Sequence, residues 1–140
     1  MMQDDSSMMK AVLLEKLEAS VGSDWFEMDS EEIMSLLEGV GAGPEIIGDL
    51  LGIMERHPLD DFGMPGAMVH YIENYYPDYL PQLVDSVQRA PALATVWMLH
   101  RCMNGSQDKA PLIRILTEVA NNGNADNTIR EQARSLLEDA

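Results

Sequence analysis

Cysteine is almost missing from this chain of 140 residues: Cys102 stands alone, so no internal disulfide can staple the fold. Long apolar runs are missing too, because Lys, Glu, Asp or Arg interrupts every hydrophobic stretch before it reaches the roughly 20 residues a membrane span needs. The opening MMQDDSSMMK is acidic rather than basic and then apolar, unlike a secretory signal. Together these absences lead us to expect a soluble cytoplasmic protein. Strict alternation of apolar and polar residues is also absent, which argues against strands and so against a dinucleotide fold, whose Gly-rich fingerprint must follow a strand. No GxSxG elbow occurs either, and an enzyme is not expected.

Bases are scarce: nine Lys and Arg face 24 Asp and Glu, a formal charge of −15. The imbalance lies in one part of the chain. Residues 1–85 hold 18 acids against Lys10, Lys16 and Arg56, or −15, whereas residues 86–140 hold six acids and six bases, or zero. No base occurs between Lys16 and Arg56, while ten acids do, Asp29, Glu31 and Glu32 among them. A one-signed field of this kind repels nucleic acid and membrane phosphates and speeds encounter with a basic protein.

What is present is helical periodicity. Met9, Val12, Leu13 and Leu17 share a 3.6-residue period, with Ser6 or Ser7 as the expected cap. After Gly22 a second helix is expected to restart at Asp29 or Ser30 and end at Gly39. Pro44 suits a first helical position for the stripe Ile46, Ile47, Leu50, Leu51 and Met54. Further stripes begin near residues 65, 79, 91, 107 and 128. The prediction is an all-α single domain of about eight helices, 10 to 16 residues each. It has acidic helices over 1–43 and a core of helix pairs over 44–140, stacked as a HEAT-like α-solenoid fragment. Most of the eleven methionines fall on these stripes and are expected in the core.

The segment DDFGMPGAMVHYIE, residues 60–73, concentrates whatever chemistry the chain has. Gly63, Pro65 and Gly66 resemble part of a phosphate loop, but no lysine follows and Asp60 and Asp61 would repel an anion, so a turn is the better reading. His70 and Glu73 stand at i and i+3 without a third ligand at metal spacing, and neither a metal nor a cofactor is expected. Cys102, among Trp97, Met98 and Met103, reads as a buried inert thiol. Tyr71, Tyr75, Tyr76 and Tyr79 cluster near Asp60, Asp61, Glu73 and Asp78, and aromatics beside carboxylates suit the grip on a basic protein surface. Two of the tyrosines are expected in the core and at least one outside.

DDFGMPGAMVHYIE followed by DSVQRAPALATVWMLHRCMNG resembles a family of small all-helical bacterial immunity proteins, including those of contact-dependent growth inhibition. The matching positions are Phe62, Gly63, Pro65, Gly66, Val69, His70 and Glu73, then Arg89, Pro91, Val96, Trp97, Met98, Arg101 and Asn104. The family usually carries threonine where this chain has Ala92. The resemblance implies a protein that binds a cognate toxin domain in the cytoplasm and covers its active site. The acidic half points to a basic nuclease toxin, of RNase type, as partner. In this reading Asp29, Glu31, Glu32, Asp60, Asp61, Glu73, Tyr75, Tyr76 and Asp78 contact the toxin. Gly63, Pro65 and Gly66 shape the turn, and His70, Arg89, Trp97 and Arg101 join Glu73 in a buried framework. The alternative is a helical-repeat adaptor with no toxin target.

Overall fold

The structure, a computed structural model, describes residues 2–63 and 66–138. It is all-helical: α1 (Met2–Ser20), α2 (Phe26–Gly39), α3 (Ile47–Arg56), α4 (Gly66–Glu73), α5 (Leu80–Arg89), α6 (Leu93–Asn104), α7 (Ala110–Ala120) and α8 (Asn127–Glu138). No described residue is in a strand. No described helix is long and apolar enough to cross a membrane.

The apolar stripes explain most of the packing. On α3, Ile47, Leu50, Leu51, Ile53 and Met54 are all buried, and Pro44 opens a 3-10 turn (Pro44–Ile46) just before it. Each such side chain contributes about 1.5 to 3 kcal/mol by leaving water. On α7, Leu112, Ile115, Leu116 and Val119 repeat at three and four residues and face inward. The α8 start is set by Asp126, whose Oδ1 accepts the Thr128 N–H at 2.8 Å.

The second half is built from stacked pairs. α5 lies against α6 and α7 against α8, while α5 also packs on α7 and α6 on α8. First helix thus rests on first and second on second, a packing consistent with the stacked pairs expected from the sequence. α3 joins the row by packing on α5, and Leu93 N–H donates to Pro58 O at 2.8 Å, tying the α3 end to the α6 start. The first half departs from this order. α1 packs on α2, and α2 in turn packs on α4.

Several details differ from the sequence expectation: α1, with 19 residues, and α4, with eight, fall outside the expected 10 to 16, and the helix starts and the α1 stripe differ as well. α2 starts at Phe26, not at Asp29 or Ser30, because Phe26 is buried edge-on against Phe62, with ring centroids 5.9 Å apart, and this contact draws the first turn into the helix. Asp29 N–H is already bonded to Trp25 O at 2.9 Å, and Ser30 Oγ donates back to Glu27 O instead of capping. α1 runs through Ser6 and Ser7, so neither is its cap. Of the stripe expected on α1, Leu17 is fully buried, yet Met9 and Val12 are exposed, as are Met8 and Met28. The methionines of the later helices, Met54, Met68, Met98 and Met103, are in the core.

α6 begins at Leu93, two residues after Pro91, with Ala92 in the capping position. Thr95 Oγ1 accepts the Ala92 N–H at 3.2 Å, the returning half of a capping box whose forward half needs the hydroxyl that alanine lacks.

Candidate partner-binding surface

The 60–63 segment folds as two overlapping side-chain turns. Asp60 Oδ1 accepts the Phe62 N–H at 2.8 Å, and Asp61 Oδ1 accepts the Gly63 N–H at 2.9 Å. Phe62 pays for its place in the core with a φ of 54°, a left-handed conformation rare for a bulky residue, and Gly63 and Gly66 follow at 82° and 62°. The aspartates therefore build the turn that buries Phe62, whatever else they touch. Pro65, assigned to the same turn from the sequence, lies outside the described residues.

This turn forms one end of a cleft of 510 Å³ between α2 and α4. Glu27, Glu31 and Glu38 line it from α2, spaced so that helical periodicity brings all three to one side. Gly63, Gly66, His70 and Asn74 face them. Tyr71 shapes the wall: its hydroxyl donates to Gly43 O at 2.8 Å, and burial pushes its pKa above the ordinary tyrosine value. The sequence reading picked out Glu31 and overlooked Glu27 and Glu38; their i, i+4 and i+11 spacing was the available signal.

His70 is exposed on this cleft and makes no bond to Glu73, which corrects its assignment to a buried framework. Glu73 instead takes a two-pronged hydrogen bond from Arg101, Nε to Oε2 at 2.6 Å and Nη2 to Oε1 at 2.9 Å. The Arg101 guanidinium lies 4.8 Å from the Trp97 ring centroid, a cation–π contact. Trp97 is only half-buried, so this trio ties α4 to α6 at the surface and not in the core. Arg89 belongs elsewhere. It bonds Glu55 at 2.6 Å and Asp85 at 2.7 Å, and Ser86 Oγ donates to the same Glu55, joining α3 to α5. The single framework expected from the motif residues is thus two separate ties, with His70 in neither.

No family model matches the chain, and no curated protein or solved structure matches it significantly.

The tyrosines divide as expected: Tyr71 and Tyr79 are buried, Tyr75 is half-buried and Tyr76 is exposed. Glu73, Tyr76, Tyr79 and Arg101 line a hollow of 320 Å³ that reaches Cys102, while Asp78 is exposed nearby in sequence. Cys102 is 3 % exposed, its Sγ stands 3.5 Å from the Tyr79 hydroxyl, and burial raises its pKa. Among the described residues no three His, Cys, Asp or Glu side chains gather as a metal site.

Glu18, Glu45, Glu55, Glu73 and Asp85 are in ion pairs. The five acids of α2, Glu27, Asp29, Glu31, Glu32 and Glu38, have no ion-pair partner among the described residues. Glu31 and Glu32 also border a hollow of 520 Å³ with Met28 and Leu36, whereas Asp29 is half-buried outside both hollows. Next to this acidic ridge runs an apolar groove of 640 Å³ between α1 and α2, lined by Met8, Met9, Val12, Leu13, Leu36 and Val40, with Lys16 at its edge. The sequence reading put three of them, Met9, Val12 and Leu13, on a stripe expected to be buried. The signal against that was the crowding of apolar residues in MMKAVLL, more than one buried stripe can absorb.

Proposed function

We propose that this protein is an immunity protein that binds a basic nuclease toxin domain, of RNase type, and neutralises it by covering its active site. It acts by binding, without turnover of its own. The observation that carries the proposal is the acidic surface of α2: five carboxylates with no ion-pair partner among the described residues, three of them gathered on the α2–α4 cleft. Unpaired like charges on one helix cost stability, and a basic partner recovers that cost on binding. A nuclease cleft built for phosphates offers the complementary field. The two motif segments support the same reading from a different side, since their resemblance to immunity proteins falls on the turn at 60–63 and on the Glu73–Arg101–Trp97 tie that position α4 opposite α2.

The test is co-expression with the toxin domain encoded immediately upstream, read by pull-down and by rescue of growth. A tight complex that restores growth is expected. Glu27→Lys with Glu38→Lys should slow association about tenfold at low salt and flatten its salt dependence. Asp60→Asn with Asp61→Asn removes two charges but keeps both turn acceptors, so it should slow association while leaving melting unchanged. Absence of both complex and rescue defeats the proposal and favours the helical-repeat adaptor, the reading that the exposed apolar groove also suits.

A further inference from the structure

The groove between α1 and α2 has a chemistry distinct from that of the acidic cleft. Met8, Met9 and Val12 on α1 and Leu36 on α2 are 65 %, 51 %, 46 % and 49 % exposed, and Met28, about two turns earlier on α2 in the adjoining hollow, is 67 % exposed. Met8, Met9, Val12 and Leu36 line one groove, and Leu36 also borders the hollow that holds Met28, so the exposed apolar side chains are gathered rather than scattered. Methionine adapts its shape to a range of apolar side chains, which suits a groove that receives a helix.

Charge selects the occupant. The α2 side of the groove continues through Leu36 into the hollow bordered by Glu31 and Glu32, neither of which has an ion-pair partner among the described residues. On the α1 side stands Lys16. A second copy of this chain would bring another unpaired α2 ridge toward the first, at a formal charge of −15 per chain. An acidic helix would meet the same repulsion. We propose that the groove is a docking site for a basic amphipathic helix of a partner protein, its apolar stripe on the methionines and its Lys/Arg flank over Glu31 and Glu32, away from Lys16. The inference does not rest on the toxin reading, because a helix of any protein with this chemistry qualifies.

The probe is a synthetic peptide of about 20 residues, with Leu at i, i+3, i+4 and i+7 and Lys on one flank, compared with a scrambled peptide of equal composition and with one carrying Glu in place of Lys. Titration into the full chain with methyl-labelled methionines should move the Met8, Met9 and Met28 signals and leave Met54, Met68 and Met98 in place. Val12→Ser with Leu36→Ser should weaken binding at least about tenfold, and these positions are exposed enough that the fold persists. Glu32→Lys should weaken binding about threefold to tenfold at low salt, and Lys16→Glu should tighten it by a similar factor. Equal affinity for the scrambled or Glu-flanked peptide overturns the proposal, as does binding that ignores Lys16→Glu. Self-association of the chain that Val12→Ser with Leu36→Ser abolishes also overturns it, and assigns the groove to a second copy.

Discussion

The carboxylate of Glu18 holds α1 to the end of α3, and its removal gives a pH-resolved test of the structure. Arg56 donates to it twice, from Nε and Nη2, both at 2.8 Å, and His57 Nε2 lies 2.9 Å away. These partners, Arg56 foremost, lower the Glu18 pKa from 4.5 to about 2. A shift of that size corresponds at most to about 3 kcal/mol. The side chains of Glu18 and Arg56 are 30 % and 58 % exposed, however, and solvent screening reduces the contribution to about 1 to 2 kcal/mol. Because the folded-state pKa lies below the unfolded one, the stabilisation is fully present above pH 4.5 and is lost as pH falls toward 2. Glu18→Gln preserves shape and removes the charge. Urea unfolding followed by circular dichroism should show the variant about 1 to 2 kcal/mol less stable than the parent at pH 7 and progressively closer to it between pH 4.5 and pH 2.5. Comparison at equal pH cancels the titration of the other acids. A difference that stays constant across that range, or one of less than about 0.3 kcal/mol at pH 7, would refute the Glu18–Arg56 clasp as a stabilising contact.

Three further predictions test other parts of the molecule. Phe62→Ala should cost about 3 to 5 kcal/mol, since a fully buried ring and its contact with Phe26 are both lost; a melting temperature within a degree or two of the parent would contradict the packing. Trp97→Ala should cost only about 1 to 2 kcal/mol, less than a core tryptophan, because Trp97 is half-buried and its main specific partner is the Arg101 guanidinium; a loss above about 4 kcal/mol would place it in the core after all. Cys102 should react with a thiol reagent only as fast as the protein opens, being buried with its pKa raised; immediate stoichiometric labelling of the native protein would count against this.

The proposals differ in what they ask of the acidic half. Neutralising a toxin asks for long-range attraction and a rigid wall, which α2 supplies through carboxylates held on one helix against α4. Docking of a basic helix asks for apolar area beside charge, supplied where α1 leaves its first apolar turns uncovered. One partner could engage both surfaces, since Glu31 borders the cleft and the hollow alike. The balanced charge of the second half suits a different task, the packing of helix pairs that hold α3, with α4 joined to them through the Arg101–Glu73 pair.

Periodicity by itself determined the helices, because a 3.6-residue apolar stripe such as Leu112, Ile115, Leu116 and Val119 has one way to be buried, and the prolines and glycines between stripes mark where each must stop. The same local logic placed a turn at Gly63 and Gly66 and Cys102 in the core, whereas Asp60 and Asp61, assigned from the sequence to partner contact, turned out to accept that turn's amide protons. Partner choice was not legible there. Glu73 takes Arg101 rather than His70 because α6 lies across α4, and Arg89 goes to Glu55 because α3 lies on α5; both are separations of about 30 residues that no spacing rule reaches. The α1 stripe was misjudged for the same reason. An apolar face is a demand for cover, and only the tertiary arrangement decides whether cover exists: Leu17 meets the rest of the core, while Met8, Met9 and Val12 extend past it and remain open to solvent.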